Sequence, residues 1–363
     1  MKLLIITGSY PPLICGVGDY THSLVKAIAA YGGIRVSILT SIGAPQHDVA
    51  DEVQLFPVMR DWRMSELLKA VKILWISSSD IVHIQYPTQG YKGELLSWLL
   101  PLIAFLMRKK VVQTWHEIYT HSHSAKLLLK AIVPGGLVVV RPEYKKQFPP
   151  KLHWIFKNKK FLFIRNASSI PPIELTKKNQ VEIKRKYIKQ QKRLIVFFGF
   201  IYASKGVELL FDIANPELDQ IVIVGQLEND NEYSQKILER ADEFPWAGKV
   251  TFTGFLAPRD VASLLSVSDA VILPFRAGGG EWNTSIHTAV LQKAFVLTTS
   301  KSSSGFDKKN NVYYSRIDNI QEMKSALNTY AGKYRKKDSE IDTCEWINIA
   351  AEHYKLYEAL LKK

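Results

Sequence analysis

The sequence predicts two α/β domains in tandem, each built on a doubly wound parallel sheet. Three observations predict this. The chain has 363 residues, which is long for one ordinary core and suits two domains of roughly 150–200 residues. Short apolar runs rich in Val, Ile and Leu alternate with helical patterns, as strands covered by helices on both faces do. The alternation is interrupted once, over 168–191, by "SSIPPIELTKKN" and a charged run "QVEIKRKYIKQQ", which reads as an interdomain connection. Hydrophobic residues make up 47 % and charged residues 23 %, a balance that folds and excludes a disordered chain.

In a first domain, 1–167, strands are expected at 3–7, 36–39, 81–85, 111–115 and 137–140, with helices at 18–30, 64–76, 94–107 and 124–132. In a second, 192–345, strands are expected at 194–198, 220–224, 250–253, 270–274 and 295–299. Its helices fall at 207–213, 233–244, 259–266 and 285–292. The end of the chain, "CEWINIAAEHYKLYEALLKK", has helical amphipathicity, with lysines at the negative end of the helix dipole. Residues 346–363 are expected to pack back on the first domain. No sequence repeat or low-complexity segment is present.

The two cysteines, Cys15 and Cys344, are far apart, with no CxxC pair or Cys/His cluster. A zinc site is not expected, and a reducing, cytoplasmic compartment fits best. The opening "MKLLIITGSYPPL" reads as a strand entering a turn, because Gly8 to Pro12 break the apolar run a signal peptide needs. The run "LLSWLLPLIAFLM" at 95–107 precedes "RKK". Its helix rises only about 20 Å, short of the roughly 30 Å hydrocarbon core. Two readings remain: a buried core helix, or a surface dipping into lipid headgroups beside Arg108, Lys109 and Lys110.

The formal charge of +14 is uneven: residues 1–165 carry 21 Lys and Arg against 10 Asp and Glu. A basic half suits an anionic partner such as nucleic acid, an anionic membrane or a phosphorylated substrate, or serves solubility alone. Nucleic acid is excluded because no recognition motif or aromatic-interleaved basic stripe accompanies the charge.

Four segments carry candidate chemistry. In "GSYPPLICGVGDYTHSLVKAI", Gly16 and Gly18 flank a helix start, where the backbone can approach a phosphate. A tight strand-to-helix turn gives the same pattern, and GxGxxG is absent. In "FFGFIYASKGVELL", Gly199 ends a strand and Lys205 precedes Gly206 at the next helix. There the ammonium faces the strand C-termini and can stabilise a departing diphosphate, or is simply solvated. In "ILPFRAGGGEWNTSIHTAVLQKAFVLTTS", a Gly-rich loop containing Gly280 leads to Asn283, Thr284 and Ser285 at a helix start, a second candidate phosphate cradle. Glu281 in that loop can bond a sugar or ribose hydroxyl. In "VVQTWHEIY" and "IVHIQYP", His116, Glu117, His83 and Tyr86 stand at expected strand ends, where a histidine can meet a sugar hydroxyl or serve packing.

The order of these segments, with "PP…GVGDYTHSLV" opening the chain and "SDAVILPF" before the Gly-rich turn, resembles the family 4 retaining glycosyltransferases from Lys2 to about Ser300. The resemblance implies the GT-B fold: two Rossmann-like domains facing each other across a cleft, with donor on the second and acceptor on the first. It implies that Gly16 and Gly18 approach the donor diphosphate and sugar, that Lys205 binds phosphate, that Gly225 lines the base pocket, and that His116 lies near the transferred sugar. Two departures stand out. The family's pair of donor-site glutamates falls on Gly280 and Thr288, and its arginine five residues before the lysine falls on Phe200.

The same resemblance implies transfer of a hexosyl group from a nucleoside-diphosphate sugar, with retention, without a metal, and with no protein-borne cofactor. The implied acceptor is a glycan or an undecaprenyl-diphosphate-linked glycan at the inner face of the membrane, in surface-polysaccharide or lipopolysaccharide assembly. Rival readings are a non-catalytic nucleotide-sugar-binding partner of the same fold, and a nucleotide-sugar epimerase.

Overall fold

The computed structural model describes residues 1–44, 53–118, 124–228, 231–280, 282–333 and 345–362. Two compact units are present: Met1–Asn166 together with Cys344–Lys363, and Ala167–Thr343.

The first unit runs β1 (Lys2–Ile6), α1 (Gly16–Tyr31), β2 (Arg35–Ser41), β3 (Val53–Met59), α2 (Leu67–Ile76), β4 (Ile81–Tyr86), α3 (Leu95–Leu106), β5 (Lys110–Trp115), α4 (Ser124–Ala131), β6 (Gly135–Val139), α5 (Tyr144–Gln147) and β7 (Lys159–Phe163). The strand order is β3-β2-β1-β4-β5-β6-β7, and every pairing is parallel. The chain therefore reverses its winding between β1 and β4. Central strands β1 and β4 are almost wholly buried; that explains the apolar run of β1, while β4 buries His83 and Gln85 among its apolar residues. Edge strands β3 and β7 were not expected. Pro57 sits inside β3, which an edge strand tolerates because one side of its backbone needs no partner. Lys159 and Lys160 open β7. Helix α3 is a core helix: Leu96, Trp98, Leu100 and Ala104 are buried, while Phe105 and Leu106 at its end are exposed.

The second unit runs α6 (Lys177–Tyr187), β8 (Arg193–Phe198), α7 (Leu210–Ile213), β9 (Asp219–Val224), α8 (Glu232–Asp242), β10 (Val250–Gly254), α9 (Pro258–Val267), β11 (Ala270–Leu273), α10 (Thr284–Leu291), β12 (Val296–Thr299), β13 (Gly305–Asp307), β14 (Val312–Ser315) and α11 (Ile320–Tyr330). Its strand order, β10-β9-β8-β11-β12-β14-β13, is parallel except for the β13–β14 pair. The winding reverses between β8 and β11. The expected connection 168–191 is instead part of this unit. Ile170 joins its core, and in α6 the Lys184 ammonium grips the Asp269 carboxylate at 2.7 Å. A charged helix with no fully buried residue reads as linker in sequence but is held by this ion pair and by Ile183 and Tyr187 packed against the core.

Helix α12 (Glu345–Leu361) belongs to the first unit and lies along α1, where Tyr31 and Tyr354 meet at 5.1 Å. Gly136 in β6 makes room for it: a Cβ there would stand 3.2 Å from Leu356 and 3.3 Å from Leu360.

Candidate active site

In an open α/β sheet, ligands bind beyond the strand C-termini where the winding reverses. In the second unit that point lies between β8 and β11, and both expected donor-side loops converge there. Gly199 follows β8 with φ +143°, and a Cβ there would meet open space. A short 3-10 turn, Ala203–Lys205, ends at Gly206, whose φ is +66°. A Cβ on Gly206 would lie 2.3 Å from the Pro274 carbonyl oxygen, so the loop after β8 is pressed against the end of β11. The Arg276 N–H donates to the Ser204 carbonyl at 3.0 Å and ties the two loops together. Lys205 Nζ stands 4.7 Å from the Phe275 ring centre. Arg276, close by, has its guanidinium occupied by Glu208 and Asp318.

The Gly-rich loop continues this wall. The Gly279 N–H donates to the Thr299 carbonyl at 2.6 Å. The Gly280 N–H donates to Asn283 Oδ1 at 3.0 Å. Asn283 precedes α10, yet its side chain is turned back into the loop and makes no capping bond to the helix. That leaves the first-turn amides of Thr284 and Ser285 without the usual side-chain cap, the arrangement that receives anions. Gly225, ending β9 with φ +157°, packs on Gly199: a Cβ there would sit 2.2 Å from the Gly199 oxygen. Glu281 lies outside the described residues.

Both departures have physical content. Phe200 stacks on Tyr202 with centroids 5.9 Å apart and meets Phe255 edge-on at 6.2 Å, so an aromatic wall stands where the resemblance would place an arginine. Thr288 is buried; its hydroxyl bonds the Thr284 carbonyl and Ser168 Oγ, both at 2.8 Å.

In the first unit the corresponding point lies between β1 and β4. The loops after these strands interlock: a Cβ on Gly90 would fall 1.7 Å from the Gly8 oxygen, and the Gly90 N–H donates to Ser9 Oγ at 2.9 Å. Gly16 is exposed at the first turn of α1 and Gly18 is buried, its Cα so near Ser9 that a Cβ would lie 3.0 Å from that carbonyl oxygen. His116 directly follows β5. Its Nε2 bonds Gln85 Oε1 at 3.0 Å, and its ring meets Tyr20 edge-on at 4.6 Å. Burial first, then the nearby His353, pulls its pKa down to about 3. The ring is neutral at physiological pH, suited to hydrogen bonding a hydroxyl rather than to proton transfer. Glu117 beside it is exposed.

His83 and Tyr86 need correction. His83 lies inside β4, not at its end, and is fully buried, bonded to Tyr357 and Thr114 at 2.7 Å each. Tyr86 is buried and its hydroxyl donates to the Ser97 carbonyl at 2.6 Å. Neither side chain is presented on the surface of this unit. Gln85, which belongs to no motif in the sequence, is the residue linking His83 to His116. Among the described residues no group of three or more His, Cys, Asp or Glu is placed to hold a metal ion.

Residues 192–331 match the family described as Glycosyl transferases group 1, so the second unit carries a glycosyl transferase domain, and the reversal point described above lies inside it. No curated protein matches the chain in sequence. Solved structures do match along its whole length. Sucrose-phosphate synthase of Thermosynechococcus elongatus is 13 % identical with TM-score 0.72, covering 100 % of this chain and 99 % of its own. Anabaena HepE, solved in complex with UDP-glucose, is 14 % identical with TM-score 0.68, covering 100 % and 98 %. WaaG, a glycosyltransferase involved in lipopolysaccharide biosynthesis, is 15 % identical with TM-score 0.62, covering 99 % and 98 %. At such identities the likeness shows the fold, which is GT-B; fold and matched domain together support a glycosyltransferase.

Proposed function

We propose that this protein transfers a hexosyl group, with retention and without a metal, from a nucleoside-diphosphate sugar to a glycan or lipid-diphosphate-linked acceptor. The observation that carries the reading is the convergence, at the winding reversal of the glycosyl transferase domain, of Lys205 with the uncapped start of α10. A lysine and free amides on one loop cluster compensate the charge that grows on a departing diphosphate. Glu281 is proposed to bond the donor, His116 to meet a sugar hydroxyl, and Glu117 to stand on the acceptor side. The acceptor hydroxyl then attacks from the face the nucleotide leaves, and a donor phosphate oxygen takes its proton.

A panel of nucleotide sugars, UDP-glucose included, tests this by thermal shift with and without EDTA. One donor should raise the melting temperature by mass action, EDTA should not remove the effect, and Lys205→Ala should. No shift from any donor, with or without a glycan acceptor, would refute transfer and favour a partner that has lost donor binding. A shift removed by EDTA would refute the metal-free mechanism.

An anionic membrane surface, at the inner face of the cell membrane, is proposed as partner of the first unit, and surface-polysaccharide assembly as the setting. Support comes from the N-terminal edge of its sheet, where a groove of about 480 Å³ is lined by Lys109, Lys110, Lys157, Lys159 and Lys160, with Phe105 beside them. None of its described lining residues is acidic. Burial lowers the Lys159 pKa to about 8, and an adjoining phosphate would raise it again. Leu106 and Trp75 are 70 % and 76 % exposed near by. This edge is opposite the loops that carry His116, so the basic run anchors and does not hold the acceptor at the reacting end. Arg108, Lys109 and Lys110 replaced together by Ser should lose co-sedimentation with anionic vesicles; unchanged binding at low salt would refute the proposal. Among the described residues no helix is long and apolar enough to cross a membrane.

A further inference from the structure

Behind His116 runs a chain of buried polar groups that the transfer chemistry does not use. His116 Nε2 faces Gln85 Oε1 at 3.0 Å. Gln85 Nε2 faces His83 Nε2 at 3.3 Å. His83 Nε2 also meets Thr114 Oγ1, and His83 Nδ1 meets the Tyr357 hydroxyl, each at 2.7 Å. Gln85, His83 and Thr114 are fully buried, and so is Tyr357 on α12. Residues of two strands and one distant helix are thereby joined in a single line.

Donor and acceptor roles fix one another along such a line. With the Gln85 amide oxygen turned toward His116, that oxygen only accepts, so in this orientation His116 carries its proton on Nε2. An amide nitrogen only donates, so His83 Nε2 must be bare and receives the Gln85 and Thr114 hydrogens. The His83 proton is then on Nδ1 and is donated to Tyr357. Reversing any one bond requires reversing the amide and both imidazoles together, and in a water-poor interior partial satisfaction is costly. Among the described residues His116 Nδ1 has no hydrogen-bond partner. A second contact from the same helix reaches the ring: Trp346 meets Tyr20 at 5.3 Å, and Tyr20 meets His116.

We infer that Gln85, His83 and Tyr357 are positioning residues which lock His116 as its Nε2–H tautomer and present Nδ1 as an acceptor for a substrate hydroxyl. The inference rests, for the hydroxyl, on the proposed placement of His116 near the transferred sugar. The tautomer itself does not depend on that reading. Through Tyr357, the C-terminal helix sets the chemistry of a strand-end residue far earlier in the chain.

The test is long-range 1H–15N correlation on protein labelled at histidine, with no ligand present. Wild type should show His116 as Nε2–H and His83 as Nδ1–H. In Tyr357→Phe the His83 proton loses its acceptor, so the line should reverse and His116 should move toward Nδ1–H. Gln85→Leu should leave His116 a mixture, whereas Gln85→Glu, which keeps an acceptor oxygen, should hold it as Nε2–H. Far-UV circular dichroism confirms that each variant is folded. A wild-type His116 protonated on Nδ1, or a tautomer unchanged in both Tyr357→Phe and Gln85→Leu, would overturn the inference. UDP-glucose added afterwards separates the two claims: the expected tautomers with His116 signals unmoved would sustain the line and count against the sugar site alone.

Discussion

Gly206 and Gly254 share a positive φ and differ in their surroundings, a difference that calorimetry can measure. Both have φ +66°, so alanine at either takes left-handed backbone strain of about 1–2 kcal/mol, offset by about 0.4–1 kcal/mol because alanine also restricts the unfolded chain. They differ in space. A Cβ on Gly254 meets nothing within 4 Å, while on Gly206 it lies 2.3 Å from the Pro274 oxygen. That oxygen is backbone at the end of β11 and cannot swing aside as a side chain would. Forced displacement of packed structure costs about 1–3 kcal/mol. Gly254→Ala should therefore cost about 1 kcal/mol, and Gly206→Ala about 2–4 kcal/mol on the same principles. In a unit of this size each kcal/mol lowers the melting temperature by about 2–4 °C. Differential scanning calorimetry of the full chain should place Gly206→Ala at least several degrees below Gly254→Ala. Equal transitions for the two variants would show that the loops after β8 and β11 are not pressed together, and the site built on their contact would fall with it.

Acid should weaken the first unit. His353 is fully buried, and burial lowers its pKa to about 4, while its unfolded value is near 6.5. A depressed imidazole binds its proton in the unfolded state first, so its contribution is complete above pH ~6.5 and is lost as pH falls toward ~4, about 3 kcal/mol in all. His83 and His116 shift the same way. Urea unfolding at pH 7, 5.5 and 4.5 should show this fall, reduced in His353→Gln; a flat profile would refute it. Lys130 is buried with its ammonium 3.9 Å from the Tyr86 ring centre, 4.5 Å from that of Trp98 and 5.0 Å from that of Trp115. Its pKa is pulled well down by burial and by the charge of Lys159. Because a buried charge is costly, Lys130→Met should be neutral or stabilising by up to about 2 kcal/mol; a clear loss of stability in calorimetry would show that the aromatic cage outweighs desolvation.

The central strands were legible because burial on both faces leaves a continuous apolar run, as in the "IVIV" that closes β9. The edges were not. In β3 the proline obscures a strand that only its edge position permits, and in β7 two lysines do the same. Helix α11 was missed although Asn319 accepts from the Glu322 N–H, because its polar face dominates the short run. At the site, local turn chemistry found both loops at the β8–β11 reversal. It misread His83, because residues at i and i+2 on a strand share a face, and only the fold shows that the face of His83 and Gln85 is covered by α12. A contact spanning 274 positions, His83 to Tyr357, leaves no local trace.

Thr288 narrows what the donor site can use. By resemblance a glutamate there would hold the donor ribose. Thr288 is 2 % exposed and spends its hydroxyl on Thr284 and Ser168. A carboxylate in that space would lose its water and find a hydroxyl and a carbonyl, of which only the hydroxyl can donate to it. The surrounding side chains are thus adapted to a small neutral residue, and Ser168 takes the place that a longer chain would need. Phe200, Tyr202 and Phe255 likewise offer π-faces where a cation was expected. On the proposed reading, recognition by two charged side chains has been exchanged for recognition by backbone amides, aromatic faces and Lys205. Such a site depends more on the path of the Gly278–Asn283 loop than on any one carboxylate. Its affinity for a nucleotide sugar should therefore respond more strongly to a Cβ at Gly279, which would lie 2.8 Å from both Phe275 and Thr298, than to conservative change of the exposed Thr284. Isothermal titration of Gly279→Ala and Thr284→Ser with the donor that shifts the wild type measures this. A greater loss of affinity in Thr284→Ser would show that a side-chain hydroxyl, not the loop backbone, holds the donor.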